Sequence, residues 1–427
     1  MAGSNRGNLV VGLNGRRVAL LRRVPNGARL TYEPDVVTRL GGAPLLSTAL
    51  PVRAQEFDAG LTAAWFRGLL PEDARLEQVK AFYSITGDYL DVLEQIGWEC
   101  AGAVEVMAES QWEKREEEPP DYEELEPEGL AQRLCALPAH PYDDERSMRM
   151  SLGGFQSKLC VYGDPLGAEP HVAASGFALP LAGAPSTHIL KPEPRRFAGL
   201  AESEAWAMRV AGAVTPTARV ALLDLEGAPP TLCIERFDRA RGQGWVARLH
   251  QEDCAQALGI EPERKYASQG SPKKGDPSFK RFAALLGRYA TDAEAETWKL
   301  FDQMAVNVSL GNTDAHAKNY SLLHPTVSTV ALAPLYDVVP AREVTPDVRA
   351  MGMRVANQIT LERVGCKELL DEGASWGLSR PQMEDRLEHL MEGLLRAMGR
   401  VRDVFPTAAG RHEALARERI ARILGSG

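Results

Sequence analysis

Gly311-Asn-Thr-Asp314-Ala-His316-Ala-Lys-Asn319-Tyr320 is the stretch on which the reading of this chain turns. It follows Trp298, Phe301, Met304, Ala305 and Val308, whose spacing predicts one apolar face of a helix. Thr291-x-x-Glu294 is expected to open that helix as a capping box, and Gly311 to stop it. A helix end would then carry a loop with the spacing Asp-x-x-x-x-Asn. In-line phosphoryl transfer asks for such a loop. One side chain, here Asp314, must orient or deprotonate the attacking hydroxyl. An amide oxygen, here that of Asn319, must hold a cation on the phosphate oxygens. Read alone, an Asp and an Asn in a loop serve equally well as turn residues.

Working outward, Leu332-Ala-Pro-Leu-Tyr336-Asp337-Val338 ends an apolar strand in a carboxylate, where a second Mg²⁺ ligand belongs. A plain loop or N-cap aspartate has the same signature. Upstream, Thr187–Lys191 predicts a short strand ending at Pro192, and Lys191 can reach phosphate as a point charge. Ala201–Val210 predicts a helix stopped by Gly212, on which Glu204 could pair with Lys191. An exposed edge lysine and a solvated glutamate are the alternatives. Val220–Leu223 and Thr231–Glu235 predict two further strands. Ser151-Leu-Gly153-Gly154-Phe-Gln-Ser-Lys158 lacks the Walker A pattern. It is either a flexible cover for phosphates or an ordinary hairpin turn. Ile234–Asp238 would be a hinge whose backbone groups can bond adenine. The order of these parts carries the argument: flexible loop, strand lysine, helix glutamate, strand pair, connector, helical unit, Asp-x-x-x-x-Asn, then Asp. A bilobal kinase scaffold needs that series.

The rest of the chain sets bounds. Its 427 residues are 44% hydrophobic and 25% charged, which is globular composition and suggests two or three compact units. The net charge is −9, and Glu113–Glu128 holds nine acidic and two basic residues, a net of −7. That segment, interrupted by prolines, reads as a solvated linker or insertion. No basic field points to autonomous nucleic-acid binding. No run suits a bilayer or a signal peptide, and six cysteines without framework spacing suit a reducing cytoplasm. Eight histidines in no HExxH or close His/Cys cluster give no zinc signature. Leu9-Val10-Val11 and Val18-Ala19-Leu20-Leu21 flank Asn14-Gly15 and predict a type I′ hairpin. Helices are expected near Ala63–Leu70, Tyr89–Ile96 and across Arg380–Ile423, with mainly helical structure after Phe237. The expected units are 1–110, an acidic segment 111–129, a small lobe 130–238 and a helical lobe 239–427.

These residues together resemble the HipA family of bacterial toxin serine/threonine kinases. The likeness lies in Arg149–Lys158, Thr187–Lys191, Glu235-Arg-Phe-Asp-Arg239, Gln251-Glu-Asp253, Gly311–Tyr320 and Pro334–Asp337. In the first unit it lies in Pro51, Phe66–Pro71 and Asp91–Gly97. The resemblance implies an α+β, bilobal protein-kinase-like fold with an extra N-terminal α+β subdomain. It implies ATP and Mg²⁺ as cofactors, Asp314 as catalytic base, and Asn319 and Asp337 as metal ligands. Lys191 would bind phosphate, with Ser151, Gly153, Gly154 and Lys158 in the nucleotide loop. Glu235 and Phe237 would offer hinge backbone, and Gln251 and His316 would lie near the nucleotide. Ser151 matches an autophosphorylated serine. The implied target is an aminoacyl-tRNA synthetase or another translation protein. The implied partner is a small helix-turn-helix antitoxin (HipB-like), with DNA reached only through it. A small-molecule kinase and a catalytically idle corepressor are the alternatives. Phe155 and Ser157 depart from the family's loop, and the basic Lys318 stands beside Asn319 rather than near Asp314.

Overall fold

The hairpin that opens the chain follows from its turn. Leu9–Leu13 pairs antiparallel with Arg16–Val24. Asn14 at φ 50° and Gly15 at φ 73° take the left-handed conformations that a type I′ turn needs. Gly27–Tyr32 extends the sheet on one side and Val104–Ala108 on the other. The pleat puts Leu9, Val11, Ala19, Leu21 and Leu30 on one buried face. Helices Ala59–Arg67 and Tyr89–Ile96 add Trp65, Phe66, Leu90 and Leu93 to the same core. The first of these starts earlier than its apolar pattern, because Asp58 caps it by accepting from Leu61 N at 3.0 Å. The computed structural model describes residues 7–115, 120–137, 150–151, 156–345 and 348–425 of the protein, the pair 150–151 as backbone.

The acidic segment is not simply a linker. Asp121–Leu125 is a strand, antiparallel to Phe177–Leu181. Its carboxylates stay in solvent while Leu125 is buried and the Tyr122 hydroxyl donates to Pro185 O at 3.0 Å. Its one strand partner is Phe177–Leu181, and backbone pairing leaves the side chains of both faces free to carry charge, so only Leu125 at its end needs burial. Pro127, expected as an interruption, instead opens the helix Pro127–Ala136, where its missing N–H costs nothing. Leu130, Leu134 and Leu137 then join the N-terminal core, beyond the expected boundary at residue 110.

Next comes a five-stranded sheet in the order Leu159–Val161, His188–Pro192, Thr231–Glu235, Val220–Asp224, His171–Ala173. All neighbours are antiparallel except the last pair. Each face belongs to a different core. Leu190, Cys233 and Ala221 pair across one face and pack with the N-terminal hairpin. Leu232 and Val220 lie in the core of helix Leu200–Ala211, with Ala205 and Trp206. Two apolar cores therefore fill the described residues, and this small sheet is shared by both.

The second half is less uniformly helical than expected. Arg239–Gly242 pairs with Trp245–Arg248, Ser321–Thr326 lies between His250–Asp253 and Thr329–Leu332, and Ala350–Val355 pairs with Gln358–Thr360. These strands are three to six residues long, too short to show alternation against noise. Helix Ala293–Leu310 is the spine of the lobe. Its N-cap is Asp292, accepting from Ala295 N at 3.0 Å, not the expected Thr291 box. Gly311 ends it at φ 76°. Arg380–Val401 and Pro406–Ile423 pack around it. No helix among the described residues is long and apolar enough to cross a membrane.

Candidate active site

Strand register decides where Lys191 points. It pairs with Leu232, which pairs with Leu222, so Lys191 lies on the face covered by helix Leu200–Ala211. Its Nζ donates to Glu204 Oε1 at 2.8 Å and Oε2 at 2.9 Å, and to Asp337 Oδ1 at 2.7 Å. The Lys191 and Glu204 side chains are 5% and 2% exposed, whereas Asp337 is 37% exposed. The pair is thus the buried floor, and the aspartate opens outward. Burial alone would lower the Lys191 ammonium, but Asp337 and then Glu204 hold it above the usual lysine range. Burial alone would raise Asp337, and Lys191 followed by Lys158 holds it well below the usual range. Burial raises Glu204 against the attraction of Lys191. Lys158 is pushed down by burial and by its neighbour Lys191.

Asp337 sits at φ 58°, a conformation that costs a non-glycine residue about 1–3 kcal/mol. The surroundings impose it. Leu335 is pinned by bonds from Ala218 N to Leu335 O at 2.9 Å and from Leu335 N to Pro216 O at 2.9 Å. Asn312 Nδ2 donates to Asp337 O at 3.3 Å and to Asn307 Oδ1 at 2.8 Å. The loop after Gly311 is tied to the spine helix in the same way, since Asn307 Nδ2 donates to Tyr320 OH at 2.9 Å.

Within that loop Asn319 Nδ2 donates to Asp314 O at 3.0 Å. Among the described residues no group donates to Asn319 Oδ1. Asp314 Oδ1 accepts from the Tyr266 hydroxyl at 2.7 Å. Burial pushes the Asp314 carboxyl above the usual aspartate range; the Tyr266 bond opposes this and Asp337 adds to it. His316 is buried and lowered to about 3, first by burial and then by Lys265, so it is a neutral imidazole at pH 7. Among the described residues, no three His, Cys, Asp or Glu side chains could hold a metal by themselves. Asp337 and Asn319 instead offer one carboxylate and one amide oxygen, hard donors that fit Mg²⁺ shared with phosphate oxygens.

The connector after Thr231–Glu235 is held from behind. Glu235 Oε2 accepts from Leu166 N at 3.1 Å, and the Phe237 ring lies 5.3 Å from that of Tyr336. The Gln251 side chain donates to Asp238 Oδ2 at 3.1 Å, and its Oε1 is buried with no partner among the described residues. Arg236 binds Asp238 at 2.7 Å and Glu99 at 3.3 Å. Glu99 also takes Arg239 at 2.6 Å and Arg248 at 2.5 Å. Three guanidinium groups overcome its burial and lower Glu99 to about 2. Glu99 and Tyr266 were not singled out from the sequence. For Glu99 a signal existed: an acid amid apolar residues in Ile96–Ala101, and three arginines near the connector. Tyr266 lies in an irregular segment with no local signature.

Lys191, Glu204, Lys158 and His316 thus all interact with Asp337, Asp337 with Asp314, and Asp314 with Asn319, while Gln251 sits behind the connector. Gly153 and Gly154 lie outside the described residues. Ser151 is described only as backbone, in a parallel pair with Cys100.

Comparison with known proteins agrees with this architecture. The model of the HipA N-terminal domain matches residues 9–107, and that of the HipA-like C-terminal domain matches 150–398. The chain is 36% identical over 365 residues to "Putative kinase Y4mE" of Sinorhizobium fredii, covering 83% of this chain and 82% of that one. It is 26% identical over 356 residues to "Serine/threonine-protein kinase toxin HipA" of Shewanella oneidensis, covering 79% and 76%. HipA from the solved Shewanella oneidensis complex of HipA, HipB and operator DNA superposes with a TM-score of 0.79 at 22% identity. That match covers 98% of this chain and 97% of the other. The fold is that of HipA, α+β with a small sheet beside a larger helical lobe and an additional N-terminal subdomain. With its C-terminal family model spanning more than half of its residues, the chain belongs to the HipA family.

Proposed function

We propose that the chain is an ATP- and Mg²⁺-dependent protein serine/threonine kinase, the growth-inhibiting toxin of a toxin–antitoxin pair. One observation carries the reading: a buried Lys191–Glu204 pair presents its ammonium to Asp337, close to the Asp314–Asn319 loop. In this reading Lys191 and Lys158 face phosphate oxygens, and Asp337 and Asn319 hold Mg²⁺. When bound, Mg²⁺ neutralises phosphate charge as the γ-phosphoryl group is transferred. Asp314 takes the proton of the acceptor hydroxyl, and its raised pKa suits a base. Glu204 holds Lys191 in place. The connector backbone at Glu235 and Phe237 receives adenine, with Gln251 and His316 beside the nucleotide. The segment 130–238 acts as the small lobe and 239–427 as the helical lobe.

Ser151 is proposed as an autophosphorylation site on the loop that carries Gly153 and Gly154. A phosphoserine there adds about −1.5 to −2 charges, which would repel bound nucleotide and switch the enzyme off. The named kinase relatives support protein phosphorylation, and an aminoacyl-tRNA synthetase or another translation protein is the proposed acceptor in the cytoplasm. The Shewanella oneidensis complex supports a small HipB-like antitoxin as partner, with DNA reached through it. The test is incubation of the protein with ATP and a bacterial lysate, followed by phosphosite mapping. Phosphoserine or phosphothreonine on a protein target, absent with Asp314→Asn, is expected. Transfer only to small molecules would replace this reading with a metabolite kinase, and no transfer at all would end it.

A further inference from the structure

Asp314 needs a partner that its own loop does not supply. Asn312 Oδ1 accepts only the Asp314 N–H, at 3.2 Å, and Asn319 bonds only its carbonyl. The loop's cation faces elsewhere: Lys318 Nζ donates to Gly68 O at 2.8 Å and Asp253 Oδ2 at 2.7 Å. Among the described residues, the carboxylate's hydrogen bond comes from Tyr266, at 2.7 Å to Oδ1.

Tyr266 is 45% exposed, yet its backbone is fixed on both sides. Ala317 N donates to Lys265 O at 3.1 Å. Ala267 N donates to Gly352 O at 2.8 Å, and Gly352 N donates to Thr313 O at 2.8 Å. The tyrosine segment and the Asp314 loop are therefore stitched together through Ala317 and the strand Ala350–Val355. The Tyr266 ring meets His316 edge to face, 4.9 Å between centroids at 87°. Lys265 is itself bonded to Glu72 of the N-terminal core region. A side chain held this way delivers its hydroxyl to one place.

We propose that Tyr266 is a positioning residue for phosphoryl transfer. Its hydroxyl occupies Asp314 Oδ1 and orients the carboxylate, which leaves Oδ2 for the acceptor hydroxyl. The inference rests on the kinase reading above. A carboxylate free to rotate would spend much of its time misaligned, and misplacement of this kind costs about 10- to 100-fold in rate.

The test uses the full-length protein, ATP and lysate proteins as acceptors, with single-turnover transfer rate and Mg·ATP affinity measured separately. Tyr266→Phe removes the hydroxyl and keeps the ring on His316. It is expected to slow transfer about 10- to 100-fold while nucleotide affinity stays within about twofold. Tyr266→Ala is expected to be no faster than Tyr266→Phe. A Tyr266→Phe protein that transfers at the unaltered rate would overturn the role. So would a variant that loses rate and nucleotide affinity together, since that marks a general structural contribution. Absence of transfer by the unaltered protein would remove the kinase reading and this inference with it. Transfer by both proteins alike would remove only the inference.

Discussion

At Lys191 the energetics of the candidate site are set by burial. Its side chain is 5% exposed, and its ammonium is shared by Glu204 and Asp337. Lys191→Met would leave the Glu204 carboxylate buried without its cation, and removing one partner of such a pair costs about 3–5 kcal/mol. We expect a lower melting temperature as well as lost phosphotransfer. A variant as stable as the parent would show that the pair does not hold the two elements together. Asp314→Asn should behave differently. It keeps shape and removes the proposed base, so transfer should fall on the order of 10²-fold or more with melting unchanged. Near-normal transfer by purified Asp314→Asn would end the assignment of the base. Asp337→Ala should weaken nucleotide binding in a Mg²⁺-dependent way, and a Mg²⁺ titration that leaves affinity unchanged would speak against that role.

At the scale of elements, the spine helix Ala293–Leu310 and the loop after it act as one unit. Its terminator, Gly311, is at φ 76°, and a Cβ there would meet Arg419 Nη2 at 2.6 Å. Arg419 is not free to retreat, because it donates to Ser309 O at 3.1 Å and to Glu343 at 2.7 Å. Gly311→Ala should therefore destabilise by about 1–3 kcal/mol, through the left-handed backbone and the contact combined. Differential scanning calorimetry checks this, and an unchanged transition would mean that the helix end relaxes freely. The helix end was legible in the sequence because glycine after an apolar face is a local stop signal. The N-cap was assigned one residue early, to Thr291, because Thr291 and Asp292 are both competent caps and only backbone geometry selects between them. Asp121–Leu125 was read as solvated because its acids dominate the count. Only Leu125 at its end is buried, with Tyr122 half-buried on the opposite face.

Across the whole molecule, Glu99 joins the two halves. It lies in the N-terminal subdomain, while Arg236, Arg239 and Arg248 come from the connector region. Its folded pKa of about 2 is depressed from 4.5. The stabilisation is therefore fully present above about pH 4.5 and is lost as pH falls from there toward 2. A shift of this size corresponds to about 3 kcal/mol. Glu99→Gln should lower stability at pH 7 and flatten the acid limb of a stability–pH curve between pH 4.5 and 2. Parallel curves for both proteins would assign the acid sensitivity to other carboxylates.

The sequence by itself determined the local pieces: the Asn14-Gly15 hairpin, the helix Tyr89–Ile96, the lysine strand, the Gly311 stop and the Asp-x-x-x-x-Asn loop. Each rests on turn chemistry, periodicity or spacing, which act over a few residues. Their order along the chain was legible too, and the resemblance to a family added the roles of single residues. Tertiary structure decided what those pieces meet. Lys191 faces Glu204 because the pleat and register turn it toward one of two cores. Glu99 finds its three arginines across more than 130 residues of sequence, and Tyr266 reaches Asp314 across 48. Such contacts depend on how elements close in space, and pairing over that distance leaves no periodic trace along the chain.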